Sequence, residues 1–194
     1  MKSSQTVRLV LMAMLAAISV VLVMLLRTPL LMAAPHLEYD MADVPVLLGT
    51  MMFGILPGLC ILLIVSVIQA FLLGGNGWIG LLMHFVASGV LVVVVGLFHC
   101  RNIKWWKTIL GMVLGTIAMA VVMVPMNLII APIFFGSSMK DVVEMLVPII
   151  IPFNLLKAGI NCVITFVLLK ALTPITSKNS QLFLKCKINQ LKNG

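Results

Sequence analysis

"IIIPFNLLKAGINCVITFVLL", residues 149–169, is apolar along most of its length, yet Lys157 stands in its middle with Asn154 and Asn161 on either side. A run of about 20 apolar residues spans the hydrocarbon layer of a bilayer, so the stretch reads as a membrane helix with a cation at its centre. Asn154, Lys157 and Asn161 are spaced i, i+3 and i+7 and therefore share one helix face. No acid lies within the stretch to pair with the lysine.

The whole chain has the same character. Of its 194 residues 62% are hydrophobic and only 9% charged, where soluble domains carry about 25% charged residues. The apolar runs are long and do not alternate, which indicates helices rather than barrel strands. The expected fold is an all-α integral membrane protein with six transmembrane helices, at about 7–26, 44–57, 58–73, 79–99, 107–133 and 146–172. One membrane domain, 1–175, is followed by a basic tail, 176–194. The N-terminal run reads as an uncleaved first span. Leu56-Pro57-Gly58 is expected to break the second apolar run into two short helices.

Charge sets the orientation. With a cytoplasmic N-terminus, Lys2, Arg8, Arg101, Lys104, Lys107, Lys170 and the tail lysines fall inside, and only Arg27 and Lys140 fall outside. That asymmetry follows the positive-inside rule and places both termini in the cytoplasm. It also accounts for the net charge of +8 without nucleic-acid binding.

Depth then follows from the helical rise. Asn154 and Lys157 lie roughly 12–17 Å below the outer face, Asn127 roughly 9 Å and His84 roughly 7 Å. A lysine near the bilayer centre costs about 2.5–3.5 kcal/mol, and no acid is expected inside any span to offset it. A polar cavity that holds a ligand would stabilise it. Asn161 is expected to bond a neighbouring helix and His84 a carbonyl. The loop 27–45, with His36, Tyr39 and Asp40, suits a lid over the cavity mouth. Pro125, two residues before Asn127, bends the fifth helix and frees a carbonyl. Ala13 and Ala17 form a small-xxx-small pair that lets a second helix approach the first.

Several functions are disfavoured. No G-x-x-x-x-G-K-[ST] motif is present, so ATP hydrolysis by that route is excluded. His84 and Ser88 stand i, i+4, but no G-x-S-x-G accompanies them, and the chain does not read as an enzyme. Cys60, Cys100, Cys162 and Cys186 lack C-x-x-C spacing and read as unpaired thiols rather than a metal site. No metal and no cofactor is implied.

Three stretches together, "LEYDMADVPVLLGTMMFGILPG" (37–58), "GWIGLLMHFVASG" (77–89) and "PFNLLKAGINCVITFVLLK" (152–170), carry a family resemblance. The chain resembles the substrate-binding S components of energy-coupling factor (ECF) vitamin importers, most nearly their riboflavin-specific branch. The resemblance covers all six helices in order. It implies a multi-pass protein of the bacterial plasma membrane that captures riboflavin at the outer face. Partners would be a membrane-embedded T component and separate ATPase subunits. Asn154 and Lys157 would match the family's ligand-binding Asn-x-x-Lys, and Asn127 its fifth-helix asparagine. Ala13 and Ala17 would match the docking motif for the T component. His84 stands where the branch usually has Asn, and Leu81 where it has Glu or Gln. His84, Phe85, Tyr39, Phe153 and Asp40 complete the expected site. A pyridoxine- or pantothenate-like vitamin is the alternative ligand. A structural membrane protein without a ligand is the alternative class, and there Lys157→Leu would stabilise the fold.

Overall fold

Glycine marks where the second apolar run divides. A computed structural model of the chain describes residues 2–29, 37–74, 77–101, 104–136 and 138–177. The break falls at Gly54, whose φ of 103° is open to glycine and strained for other residues. It separates α2 (Asp43–Phe53) from α3 (Ile55–Leu72). Leu56-Pro57-Gly58 is therefore not the turn but the first turn of α3. Pro57 is harmless there, because the first-turn N–H groups have no intrahelical partner. Gly58 has a packing reason instead: a Cβ at that position would collide with the Thr50 side chain.

The other helices are α1 (Lys2–Leu26), α4 (Gly77–Arg101), α5 (Trp105–Phe135), α6 (Met139–Met145) and α7 (Ile151–Ser177). Gly136, in the left-handed region at φ 64°, ends α5. A π-helical turn, Leu146–Ile150, joins α6 to α7. Pro148 lies within it and cannot supply the N–H an α-helical ladder needs, and a widened turn is one way a helix absorbs that loss. The last helical segment thus starts at Met139, ahead of the expected residue 146. Val142, Leu146 and Ile150 pack it back onto Val124, Leu128 and Ala131 of α5. Between α1 and α2, two-residue strands β1 (Thr28–Pro29) and β2 (Glu38–Tyr39) pair antiparallel, Thr28 opposite Tyr39.

Five helical stretches are long and apolar enough to cross a membrane: Gln5–Leu26, Ile55–Leu72, Gly77–Cys100, Trp105–Phe134 and Met139–Thr173. Large apolar side chains such as Leu25, Leu72, Ile129 and Val163 are exposed on them, as lipid contact requires. The helix α2 is different. Its 11 residues extend only about 16 Å, and all but Met52 are buried. It packs against α1, α3, α4 and α7 and forms the centre of the core, with Val46, Leu47 and Met51 meeting Ile61, Leu62, Leu91 and Val95. A helix apolar all round is stable only when surrounded in this way. Arg8 of α1 donates to the Phe53 carbonyl at 3.0 Å and lies over the Phe53 ring, a favourable cation at a helix C-terminus. At the far end of α4, His99 and Thr108 hydrogen-bond at 2.9 Å across to α5.

Cys60 and Cys162 carry free thiols, whereas Cys100 is disulfide-bonded, which corrects the reading of all four cysteines as unpaired. The tail beyond residue 177 lies outside the described residues, as does Cys186.

Candidate functional site

The apparent orphan Lys157 has a partner. Its ammonium donates to Asp40 Oδ2 at 2.9 Å, across 117 residues of sequence, with both side chains largely buried. The expectation of an unpaired cation is therefore corrected. The acid comes from the loop just ahead of α2, folded down between helices. Asp40 also accepts from Gln69 Nε2 at 3.1 Å and, through Oδ1, from the Ala42 N–H at 3.1 Å. Burial would raise the Asp40 carboxyl pKa, but the Lys157 charge, with the hydrogen bonds from Lys157 and the Ala42 N–H, more than offsets it and holds the group below the usual carboxylate range.

Asn161 joins this network. Fully buried, it donates through Nδ2 to the Asp40 carbonyl at 3.2 Å and to Asp43 Oδ2 at 3.4 Å. Its Oδ1 accepts from the Tyr39 hydroxyl at 2.9 Å. Burial first, and then the nearby Asp40 and Asp43 charges, raise the Tyr39 phenol pKa, so it remains a neutral donor. Ser19 of α1 donates to the Ala42 carbonyl at 3.0 Å. Residues 39–43 are thus tied to α7 on one side and α1 on the other. Asp43, first residue of α2, adds a carboxylate at the positive end of that helix.

Beside this network lies a cavity of about 680 Å³, within the range of small-molecule sites. Asp40, His84, Asn127, Asn154, Lys157 and Phe153 line it. Each asparagine donates one N–H to its own helix, Asn127 to the Met123 carbonyl at 2.7 Å and Asn154 to the Ile150 carbonyl at 2.8 Å. Those bonds fix both rotamers and leave each Oδ1 and a second N–H for a ligand. Tyr39, Phe85 and Leu81 are not on the wall. Tyr39 is committed to Asn161, and Phe85 packs on the apolar core. Of the loop expected as a lid, Arg27, Leu37, Glu38 and Asp40 reach the cavity. Arg27 there pairs with Glu38 and donates to the Leu73 carbonyl. His36 lies outside the described residues.

Other wall residues carried no clear sequence signal. Met83, Met119, Met123 and Met145 give an adaptable, polarisable apolar surface. Ser66 and Gln69 of α3 look like ordinary small or polar residues in an apolar span, although their i, i+3 spacing sets both on one face. His84 Nε2 stands 3.5 Å from Asp43 Oδ1 without hydrogen-bond alignment, so both atoms are buried and unbonded. Ser88 Oγ is likewise unbonded, so His84 and Ser88 do not form a nucleophile–base pair. Among the described residues, no His, Cys, Asp and Glu cluster could hold a metal.

The fold and this cavity define a class. Residues 7–169 match the family model for the substrate-specific component of ECF transporters, and the chain belongs to that family. It is a multi-pass protein of the bacterial plasma membrane, a transporter component rather than an enzyme. Among its relatives, the riboflavin transporter RibU of Lactococcus lactis subsp. cremoris (strain NZ9000) is 37% identical over 131 residues, 66% of this chain and 64% of its own length. The chain thus spans a little under two thirds of that relative. The riboflavin transporter RibU of Streptococcus thermophilus is 34% identical over 177 residues, covering 87% of this chain and 83% of the relative. The riboflavin transporter FmnP of Bacillus subtilis (strain 168) is 29% identical over 175 residues, 84% of this chain and 89% of its own. A solved S component of a bacterial ECF transporter superimposes with a TM-score of 0.78 at 26% identity, covering 89% of this chain and 98% of that one.

Proposed function

We propose that this protein captures riboflavin at the outer face of the membrane and delivers it into an ATP-driven importer. The observation that carries the reading is the cavity wall on which Asn127, Asn154 and Lys157 meet four methionines and Phe153. Riboflavin has a flat ring system that ends in an imide-like edge, where acceptor, donor and acceptor alternate. The free Oδ1 and N–H of a carboxamide complement that edge, and Lys157 keeps N–H donors beyond the one given to Asp40. Methionine sulfur and the Phe153 ring suit the flat faces.

The remaining arrangement is consistent with such a carrier. Six helices, the short α2 among them, make one membrane domain with both termini cytoplasmic, in line with the basic asymmetry. The chain has no phosphate-binding loop, so ATP is hydrolysed by separate subunits. Ala13 and Ala17 are exposed on α1 while Ala16 faces the core, so α1 presents a small-residue stripe to a T component. No cofactor takes part.

Titration of the purified protein with riboflavin tests the reading. Flavin fluorescence is expected to quench saturably at micromolar concentration, and Asn154→Ala to weaken binding about tenfold, the cost of one well-placed hydrogen-bonding group. Absence of quenching at those concentrations refutes it. His84 on the wall, in place of the asparagine usual in the riboflavin branch, favours one second reading, a pyridoxine- or pantothenate-like vitamin on the same fold. A thermal-shift panel of vitamins separates the two.

A further inference from the structure

The end of the bundle away from the cavity mouth carries charge that the chain itself does not balance. All five acids of the sequence lie at the mouth end, Glu38, Asp40 and Asp43 between β2 and the first residue of α2, and Asp141 and Glu144 in α6. At the opposite end the start of α5 meets the last turns of α7, where the rings of Trp105 and Phe166 stand edge to face with centroids 5.5 Å apart. Lys104 immediately precedes Trp105. Lys170 follows Phe166 by one turn, on the same side of α7. Both lysines are exposed, and among the described residues neither is paired with a carboxylate. Trp106, 60% exposed, stands next to Trp105, and tryptophans of this kind belong at the membrane–water interface.

An apolar groove leads to these cations. It has a volume of about 340 Å³ and lies on the face of α7 turned away from the buried Asn161 and Thr165, with Leu156, Gly159, Ile160 and Val163 on its wall. Val163 and Val167, both exposed, continue that face toward Lys170 at i, i+4 and i+7. Gly159 opens the groove: a Cβ there would meet nothing, so no packing within the chain calls for glycine, a poor helix former, at this point. The rise from Gly159 to Lys170 is about 16 Å, close to half of a hydrocarbon layer about 30 Å thick, which is the depth of one leaflet. An apolar groove one leaflet deep, ending at two unbalanced cations beside interfacial tryptophans, has the shape and charge that complement an anionic phospholipid. We propose that α5 and α7 bind such a lipid here, its phosphate between Lys104 and Lys170 and one acyl chain along the groove at Gly159. The site is separate from the cavity and does not depend on which vitamin the cavity takes.

The test uses the full chain carrying Trp78→Phe, which leaves Trp105 and Trp106 as its tryptophan fluorophores. It is reconstituted in phosphatidylcholine vesicles that contain a fraction of either phosphatidylglycerol or phosphatidylcholine brominated near the headgroup end of the acyl chain. Quenching of the tryptophans reports how readily each brominated lipid takes the site. Phosphatidylglycerol is expected to be preferred about tenfold, the effect of two lysines on one anionic headgroup. Lys104→Gln/Lys170→Gln, added to that background, removes the cations, while Gly159→Leu, added separately, fills the groove and leaves the charge unchanged. Each should bring the preference to within about twofold of parity. Both should fold, because the lysines are exposed and a side chain at Gly159 points into open space. Absence of a preference in the Trp78→Phe protein overturns the inference, as does a preference that survives loss of the two lysines. A preference that survives Gly159→Leu overturns it too, since a diffuse positive field needs no groove.

Discussion

Two polar clusters border the cavity, and they differ in how completely they are bonded. Around α7, Lys157, Asp40, Asn161 and Tyr39 are bonded to one another and to the Asp40 carbonyl, and Asp43 joins through Oδ2 while its Oδ1 stays buried and unbonded. Between α3 and α4, Ser66, Gln69, His84 and Ser88 each keep a buried atom unbonded. The first cluster is architecture as much as site. It fastens the segment before α2 to the last helix and neutralises a charge that the bilayer would otherwise penalise. The second is tied to the first through Gln69 Nε2, which donates to Asp40, and otherwise leaves these buried atoms without a hydrogen bond.

Breaking the closed cluster is expected to produce the largest effect. Lys157→Leu removes the cation and leaves Asp40 buried and unpaired, so it should destabilise the protein by about 3–5 kcal/mol. This is opposite in sign to the stabilisation that a lone, unpaired lysine would predict. The Asp40→Asn/Lys157→Met double variant removes both charges and should recover most of the loss. Thermal unfolding in detergent measures both, and a stabilised Lys157→Leu variant would show that the pair does not form.

Acid offers a milder way to open the same cluster. The folded Asp40 carboxyl is held below its unfolded value of about 4, so its contribution to stability is fully present above that pH and is lost as pH falls through the lower folded value. Stability measured from neutrality down should therefore decline below about pH 4, and Asp40→Asn should flatten that decline.

The same contrast explains which features are legible in the sequence. Apolar run length and lysine placement are local, so the helix order, the membrane class and the Asn154–Lys157 face can be read directly. The Lys157 partner cannot, because nothing local reveals that a loop residue 117 positions away folds between helices to meet it. Acids counted as external, Asp40 and Asp43, become buried once β2 and the start of α2 turn inward. The chain breaks at Gly54 rather than at Leu56-Pro57-Gly58 because proline is tolerated in a first helical turn, so the more conspicuous breaker was the wrong guide. Ser66 and Gln69 give no local signal for a similar reason. A single serine or glutamine in an apolar span usually back-bonds, and only the folded geometry shows that Ser66 Oγ does not and that Gln69 reaches Asp40.

The smallest expected effects sharpen the contrast most, because they set one hydroxyl of each cluster against the other. Tyr39→Phe removes the donor to Asn161 Oδ1 and strands a buried acceptor, and should cost about 1–3 kcal/mol of stability. Ser66→Ala in the ligand-free protein removes a hydroxyl that has no partner, so it strands nothing and sheds an unsatisfied polar atom. Its stability should be unchanged or higher by up to about 1 kcal/mol. Both substitutions delete a single buried oxygen, so any difference between them reflects its bonding rather than its burial. Equal losses for the two, read as melting temperatures without ligand, would mean that Ser66 is bonded in the empty protein and that the two clusters are not distinct.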